Sequence, residues 1–325
     1  MCTAATFSTD NNIYFGRNLD YERSYGESVT VTPRNYSLHL RHAGCFSTGY
    51  AIIGMAHVCD GYPLYYDAMN EAGLYMAGLN FVGNAVYSSP EEGKDNIAQF
   101  ELLLWILGQC AGISDVRNLL ARTNIVSTAF SDKLPCAQLH WMIGAKDGCI
   151  VLEQTLDGMH IYDNPVGVLT NNPPFPMQMF SLNNYRGLSA GSVVSSFAPG
   201  LELKTYSRGM AAIGLPGDLS SQSRFVKAAF VRNNCVADKE DTDGLCQLFH
   251  ILNSVEQQKG CCRLDSGEYE YTIYTGCCDA GRGIYYYTTY ESSTPIAVDM
   301  HREDLNGKKI VSYPLDSSPY CRFIN

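Results

Sequence analysis

Met1-Cys2-Thr3-Ala4-Ala5-Thr6-Phe7-Ser8, Thr9-Asp10-Asn11-Asn12 and Ile13-Tyr14-Phe15-Gly16-Arg17-Asn18-Leu19-Asp20 follow one another at the start of the chain. The outer two runs are strand-like, and the four polar residues between them are a strong turn signal. A symmetric loop then pairs Cys2 with Leu19. Arg17 falls on the same face one diagonal step away, about 7–8 Å between Cα atoms. Asp20 lies beside the strand end.

Only Met1 precedes Cys2. Its removal leaves a thiol and a free α-amine on one residue, with reference pKa values of about 8.5 and about 7.7–8. A nucleophile and a base near neutrality on one residue suit acyl transfer. A carboxylate at Asp20 can accept hydrogen bonds from the new amine, and a guanidinium at Arg17 favours the thiolate. On these residues alone, a surface Arg–Asp pair on a hairpin is an equally good reading.

The rest of the chain narrows the class. Its 325 residues, with no linker-like tract, predict a single domain over 1–325, or 2–325 once Met1 is lost. The longest apolar run, Leu102-Leu103-Leu104-Trp105-Ile106-Leu107, is too short to span a bilayer. The net charge of −10 and scattered basic residues leave no nucleic-acid footprint. With no secretory segment, the 13 cysteines predict a cytoplasmic protein with reduced thiols, and their odd number argues against a complete disulfide framework. Cys261-Cys262 and Cys277-Cys278 lack C-x-x-C spacing, so small thiols are expected there, with no metal and no cofactor.

Alternating runs predict strands at Ile13 to Asn18, Val29 to Pro33, Tyr50 to Met55, Leu74 to Asn80, His140 to Ile143, Ile150 to Glu153 and Ile284 to Tyr290. Helical spacing covers Asp95 to Cys110 and Gly244 to Gln257. Shorter helices are expected at Ser114 to Arg122 and Ser223 to Arg232, each opened by a serine cap. Gly187 to Gly217 reads as a long loop, an oligomer contact or both. Strands and helices in blocks suggest layered sheets covered by helices.

Several motifs, in order, resemble the choloylglycine hydrolase family of N-terminal nucleophile hydrolases. They are Met1-Cys2-Thr3, Phe15-Gly16-Arg17-Asn18-Leu19-Asp20, Thr32-Pro33-Arg34-Asn35, Met69-Asn70-Glu71-Ala72-Gly73-Leu74, Ala77-Gly78-Leu79-Asn80-Phe81 and Leu139-His140-Trp141-Met142. Val168-Leu169-Thr170-Asn171-Asn172-Pro173, Gly214-Leu215-Pro216-Gly217-Asp218, Ser223-Arg224-Phe225, Gly283-Ile284-Tyr285-Tyr286-Tyr287 and Thr289-Tyr290-Glu291 extend the match over nearly the whole chain. The resemblance implies an α+β, four-layer αββα sandwich of two antiparallel sheets covered by helices. It implies Cys2 as nucleophile, Asp20 and Arg17 positioning amine and thiol, Asn80 and Asn171 building the oxyanion site, and Arg224 adding positive charge beside the sulfur. His140, in an apolar strand, is expected to be a satisfied core histidine, since the α-amine already supplies a base.

The family offers two amides, conjugated bile salts and penicillin V. Its penicillin acylase branch tends to carry Tyr where this chain has Asn80, which favours a bile salt hydrolase. Leu19, Tyr25, Phe130 and Leu134 are candidate walls of an apolar pocket, and Tyr62 and Tyr66 are expected in another loop facing it. The resemblance also implies a homotetramer. A non-catalytic binder of amphipathic ligands would be expected to have lost some of the six site residues, and a thiol redox protein would need a paired low-pKa thiol.

Overall fold

The computed structural model describes residues 1–237, 241–319 and 321–325. Its organising element is the amino-terminal hairpin. Cys2–Ser8 pairs antiparallel with Ile13–Tyr21, setting Cys2 opposite Leu19 and Ala4 opposite Arg17. Thr9 N donates to Asn12 O at 2.9 Å to close the four-residue turn. Cys2 to Phe7 are all buried, because the strand is covered on both faces.

The hairpin lies inside a seven-stranded sheet. Its main path runs Val168–Leu169, Cys2–Ser8, Ile13–Tyr21, Tyr269–Asp279, Ile284–Thr289 and Ser292–Asp299, with Cys262–Arg263 paired to the start of Tyr269–Asp279. An eight-stranded sheet faces it, in the order Gly158–Asp163, Gly148–Thr155, Leu139–Ala145, Tyr75–Asn80, Tyr62–Asn70, Ile52–Cys59, Ser28–Thr32 and Val311–Pro314. Neighbouring strands in both sheets are antiparallel.

Helices α1 (Leu102–Leu107) and α2 (Ile113–Leu120) cover the outer face of the second sheet, while α4 (Ser221–Asn234) and α5 (Asp241–Asn253) cover that of the first. Helix α3 (Phe175–Ser181) follows the loop after Val168–Leu169. The result is a four-layer αββα sandwich, the architecture the motifs imply.

Local details depart from the sequence reading for identifiable reasons. The helical spacing from Asp95 covers three elements: a strand Asp95–Ala98 parallel to Thr123–Val126, a 3-10 turn Gln99–Glu101, and α1. Glu101 makes the break, its carboxylate accepting from Ala98 N at 3.0 Å and Arg41 N at 2.8 Å. Helix α2 is capped by extended Gly112, not Ser114, and Asp147 accepts from Ile113 N at 3.1 Å. Helix α4 begins earlier than read. Ser220 is its cap, and Ser223 lies in the first turn as the N–H donor to that cap. Helix α5 stops at Asn253, short of Gln257, whose N–H instead donates to Thr272 Oγ1 at 2.9 Å. Tyr62 and Tyr66 stand on the strand Tyr62–Asn70, not in a loop. The 187–217 segment is irregular apart from the 3-10 turn Met210–Ala212, and Val194, Phe197 and Tyr206 on it are exposed.

Candidate active site

Alternation along the hairpin sends Cys2, Arg17 and Leu19 toward the second sheet, and Thr3, Asn18 and Asp20 toward the helices over the first. Arg17 is 1% exposed, so its charge needs partners. Nη1 donates to Gly78 O at 2.7 Å and Tyr66 O at 3.2 Å, both on the second sheet. Nη2 is thereby aimed at Cys2 Sγ, to which it donates at 2.5 Å.

Arg224 approaches Cys2 from the other side. From α4, its Nη1 donates to Cys2 O and to Thr3 Oγ1, both at 2.6 Å, and its Nη2 donates to Asn171 Oδ1 at 2.8 Å. The family motif puts Arg224 beside the sulfur. Its hydrogen bonds go to the Cys2 carbonyl, Thr3 and Asn171, from where its charge acts on Cys2, while the hydrogen bond to the sulfur comes from Arg17. Burial lowers the pKa of both guanidiniums. At Arg17 the surrounding Cys2, Tyr274, Asp67 and Tyr75 reverse that and leave it raised, whereas at Arg224 Asp20 and Cys2 offset it only in part.

Asp20 is fully buried on the Arg224 side. Its Oδ1 accepts from Thr272 Oγ1 at 2.6 Å, while Oδ2 lies 3.8 Å from Arg224 Nη1 and has no hydrogen-bond partner. Asn171 ties the site together. Oδ1 accepts from Cys2 N at 2.8 Å, and Nδ2 donates to Asn80 O at 2.8 Å. Ser221 Oγ, at the start of α4, accepts from Asn171 N at 2.8 Å. Asn80 ends its strand half-buried, and among the described residues its side-chain amide makes no hydrogen bond. Cys2, Arg17, Asp20, Asn80, Asn171 and Arg224, scattered over more than two hundred positions, therefore meet at one strand end.

Met1 extends the hairpin by one more pair. Its α-ammonium donates to Asp20 O at 2.6 Å and pairs with the Glu270 carboxylate, and Asp20 N donates to Met1 O at 2.9 Å. Burial raises the pKa of Glu270, and the adjacent ammonium opposes the rise.

The expected pocket residues are placed less uniformly. Leu19 is buried directly opposite Cys2, and Tyr66 touches the site through its carbonyl on Arg17. Tyr25 is exposed and packs on Tyr21, the residue after Asp20, with ring centroids 5.5 Å apart. Tyr62 and Phe130 pack together at 5.6 Å, joined by Phe100. Leu134 is half-buried in a tight turn with Ser131.

His140 is fully buried with both ring nitrogens engaged, so no Cys–His dyad forms. Thr3, Ser221, Thr272 and Glu270 carry no local signal in the sequence, being ordinary strand residues and a first-turn serine whose roles depend on long-range pairing. No group of three or more His, Cys, Asp or Glu side chains among the described residues is arranged to hold a metal.

Residues 2–313 match the model of the linear amide C–N hydrolases, choloylglycine hydrolase family. The bile salt hydrolase/transferase of Lactiplantibacillus plantarum is 50% identical over 325 residues, the whole of both chains. The crystal structure of the C2A mutant conjugated bile acid hydrolase from Clostridium perfringens superposes over all of both chains with a TM-score of 0.93 at 37% identity. A penicillin V acylase from Agrobacterium tumefaciens shares the fold, with a TM-score of 0.76 at 20% identity over 96% of this chain and 90% of its own. The chain belongs to the choloylglycine hydrolase family and is a linear amide C–N hydrolase.

Proposed function

We propose that this protein is a bile salt hydrolase, cleaving the amide bond of glycine- or taurine-conjugated bile acids with Cys2 as an N-terminal nucleophile. The observation that carries the reading is the double engagement of Cys2. Arg17 donates to its sulfur at 2.5 Å, while Asn171 accepts from its nitrogen at 2.8 Å. The likeness to proteins named for bile salts supplies the substrate class.

After Met1 is lost, the Cys2 nitrogen is an amine held by Asn171 Oδ1. Asp20 Oδ2, buried without a hydrogen bond and 3.8 Å from Arg224 Nη1, gives the amine's charged form a counter-ion. The amine takes the thiol proton, and the thiolate under Arg17 attacks the amide carbonyl. A C–S bond forms, and the carbonyl oxygen becomes an oxyanion met by the unbonded amide of Asn80. One such donor is worth about 10²–10³ in rate. Asn171 has one amide hydrogen committed to Asn80 O, so its main part is to hold the amine and fix Asn80. The α-ammonium protonates the departing glycine or taurine nitrogen as the C–N bond breaks. Water then hydrolyses the thioester, releasing the bile acid and restoring the thiol.

The reading extends to a single cytoplasmic domain acting as a homotetramer, with the 187–217 segment as a contact between copies. The exposed Val194, Phe197 and Tyr206 on that segment support it. Among the described residues no helix is long and apolar enough to cross a membrane. The test is amine release from a panel of glycine and taurine bile salt conjugates with penicillin V alongside. Bile salts are expected to be cleaved preferentially, and preferential cleavage of penicillin V would overturn the substrate assignment.

A further inference from the structure

The loop 171–174 carries Asn171, and one buried pair of side chains holds both of its ends. His140 Nε2 lies 2.8 Å from Thr170 O, immediately before the loop. Glu153 Oε1 accepts from Phe175 N at 2.9 Å, immediately after it. The two side chains meet at 3.0 Å through His140 Nδ1 and Glu153 Oε1. They project from neighbouring strands of the second sheet into the layer between the sheets, 0% and 1% exposed. The imidazole also stacks on Phe81, the residue after Asn80, with ring centroids 4.3 Å apart and planes at 6°. A single ring thus backs the neighbours of both site asparagines, which are themselves joined by the Asn171 Nδ2 bond to Asn80 O.

The proton arrangement follows from the partners. A carbonyl only accepts, so Nε2 carries a hydrogen. One further proton lies between Nδ1 and Oε1, which leaves the pair without net charge wherever that proton sits. A lone imidazolium or carboxylate at this depth would be costly.

From this geometry we infer that His140 and Glu153 form a neutral clamp, a pair of positioning residues that hold Asn171 and Asn80 in register with Cys2. The inference rests on the functional reading above, in which Asn171 holds the α-amine and Asn80 meets the oxyanion. Neither clamp residue touches substrate. They act through the backbone at Thr170 and Phe175, and a misplacement of 1 Å at a reacting group costs about 10²-fold in rate.

The clamp also bears on pH dependence. Asn171 Oδ1 accepts from the amine and favours its charged form. Among the described residues, the other charged or titratable groups around the amine are the Cys2 thiol itself, Asp20 and Arg17 on the hairpin, Arg224 from α4, Glu256 beyond α5 acting on Asp20, and Glu270 and Cys262 on paired strands of the first sheet. Of these only Arg224 is bonded to Asn171, and its bonds to Cys2 O and Thr3 Oγ1 hold it independently of the clamp. Loosening Asn171 therefore lets the amine deprotonate at lower pH.

The test is the double substitution His140→Phe with Glu153→Met, which replaces the pair with apolar side chains of similar size and leaves Thr170 O and Phe175 N without these partners. With rates normalised to titrated Cys2, kcat is expected to fall about 10- to 100-fold with KM little changed. The acid limb of kcat/KM is expected to move to lower pH, and backbone hydrogen–deuterium exchange at Asn171 and Phe175 to accelerate. Because Oε1 alone meets both His140 Nδ1 and Phe175 N, Glu153→Gln can serve only one of the two, and is expected to lose rate but less than the double variant. If the double variant does not accumulate folded, Glu153→Leu decides the matter, since it frees Phe175 and must move the same three readouts. Wild-type kcat, an unshifted acid limb and unchanged exchange in either variant would overturn the clamp. A wild-type protein inert on every amide, with accelerated exchange in the variant, would sink the functional reading and leave the clamp standing.

Discussion

The two faces of the eight-stranded sheet are buried to similar depth and packed with unlike chemistry. On the outer face, Leu74, Met76, Trp141, Ile143, Ile150 and Leu152 share one apolar cluster with the buried residues of α1 and α2. Glu101, the buried acid on that side, accepts from two backbone N–H groups. The inner face looks onto Cys2 and carries Asp67, His140 and Glu153, with Arg17 reaching across to it from the first sheet. Asp67 accepts from Tyr274 at 2.7 Å and Tyr285 at 2.8 Å, so its charge is met from the opposite sheet. Burial still holds its carboxyl above the usual carboxylate range, against Arg17 and the two tyrosines. Both layers are built on an apolar cluster, and the inner one also encloses placed charges.

That contrast can be broken from either side. The largest effect is expected in the outer layer. Leu104→Ala, at a position 1% exposed, should cost about 2–5 kcal/mol in chemical denaturation while leaving kcat per folded molecule unchanged. A comparable loss of kcat in the folded variant would show that the two layers are coupled.

A smaller effect sharpens the same comparison. Cys2 and Cys110 are 3% and 2% exposed, one in each layer. Burial pushes the Cys110 thiol up to about 12, with Asp115 adding to the rise, and no guanidinium bonds its sulfur. At pH 8, iodoacetamide should label Cys2 at least about tenfold faster than Cys110, read by mass on the two peptides, because only the thiolate reacts. Equal rates would mean that Arg17 does not set the reactivity of Cys2.

How far the sequence reveals these layers depends on the range over which each is built. The hairpin is local, so the turn residues and alternation give the Cys2–Leu19 pairing and put Arg17 beside the sulfur without outside help. Asn171 and Arg224 lie far along the chain and become legible only through the family motifs. The Arg224 contact with the Cys2 carbonyl, rather than the sulfur, depends on which face of the first sheet α4 covers. The helical spacing from Asp95 conceals a strand because four residues are too few for periodicity to separate a buried strand from a buried helix segment. Thr272, Glu270 and the Glu153 partner of His140 leave no local signal, since each acts across a sheet register that is fixed only when the sandwich closes.

On the proposed mechanism Cys2 works only as the first residue. While Met1 is attached, its ammonium sits on Glu270 and Asp20 O, and the Cys2 nitrogen is a peptide N–H with no proton-accepting role. The most direct measurement is bile salt hydrolysis by folded protein prepared with methionine excision blocked, its N-terminus verified by intact mass, beside the trimmed form. The predicted result is a kcat/KM at least about 10²-fold lower with Met1 retained, the contribution of a positioned base. Equal turnover by the two forms would rule out the α-amine of Cys2 as the base.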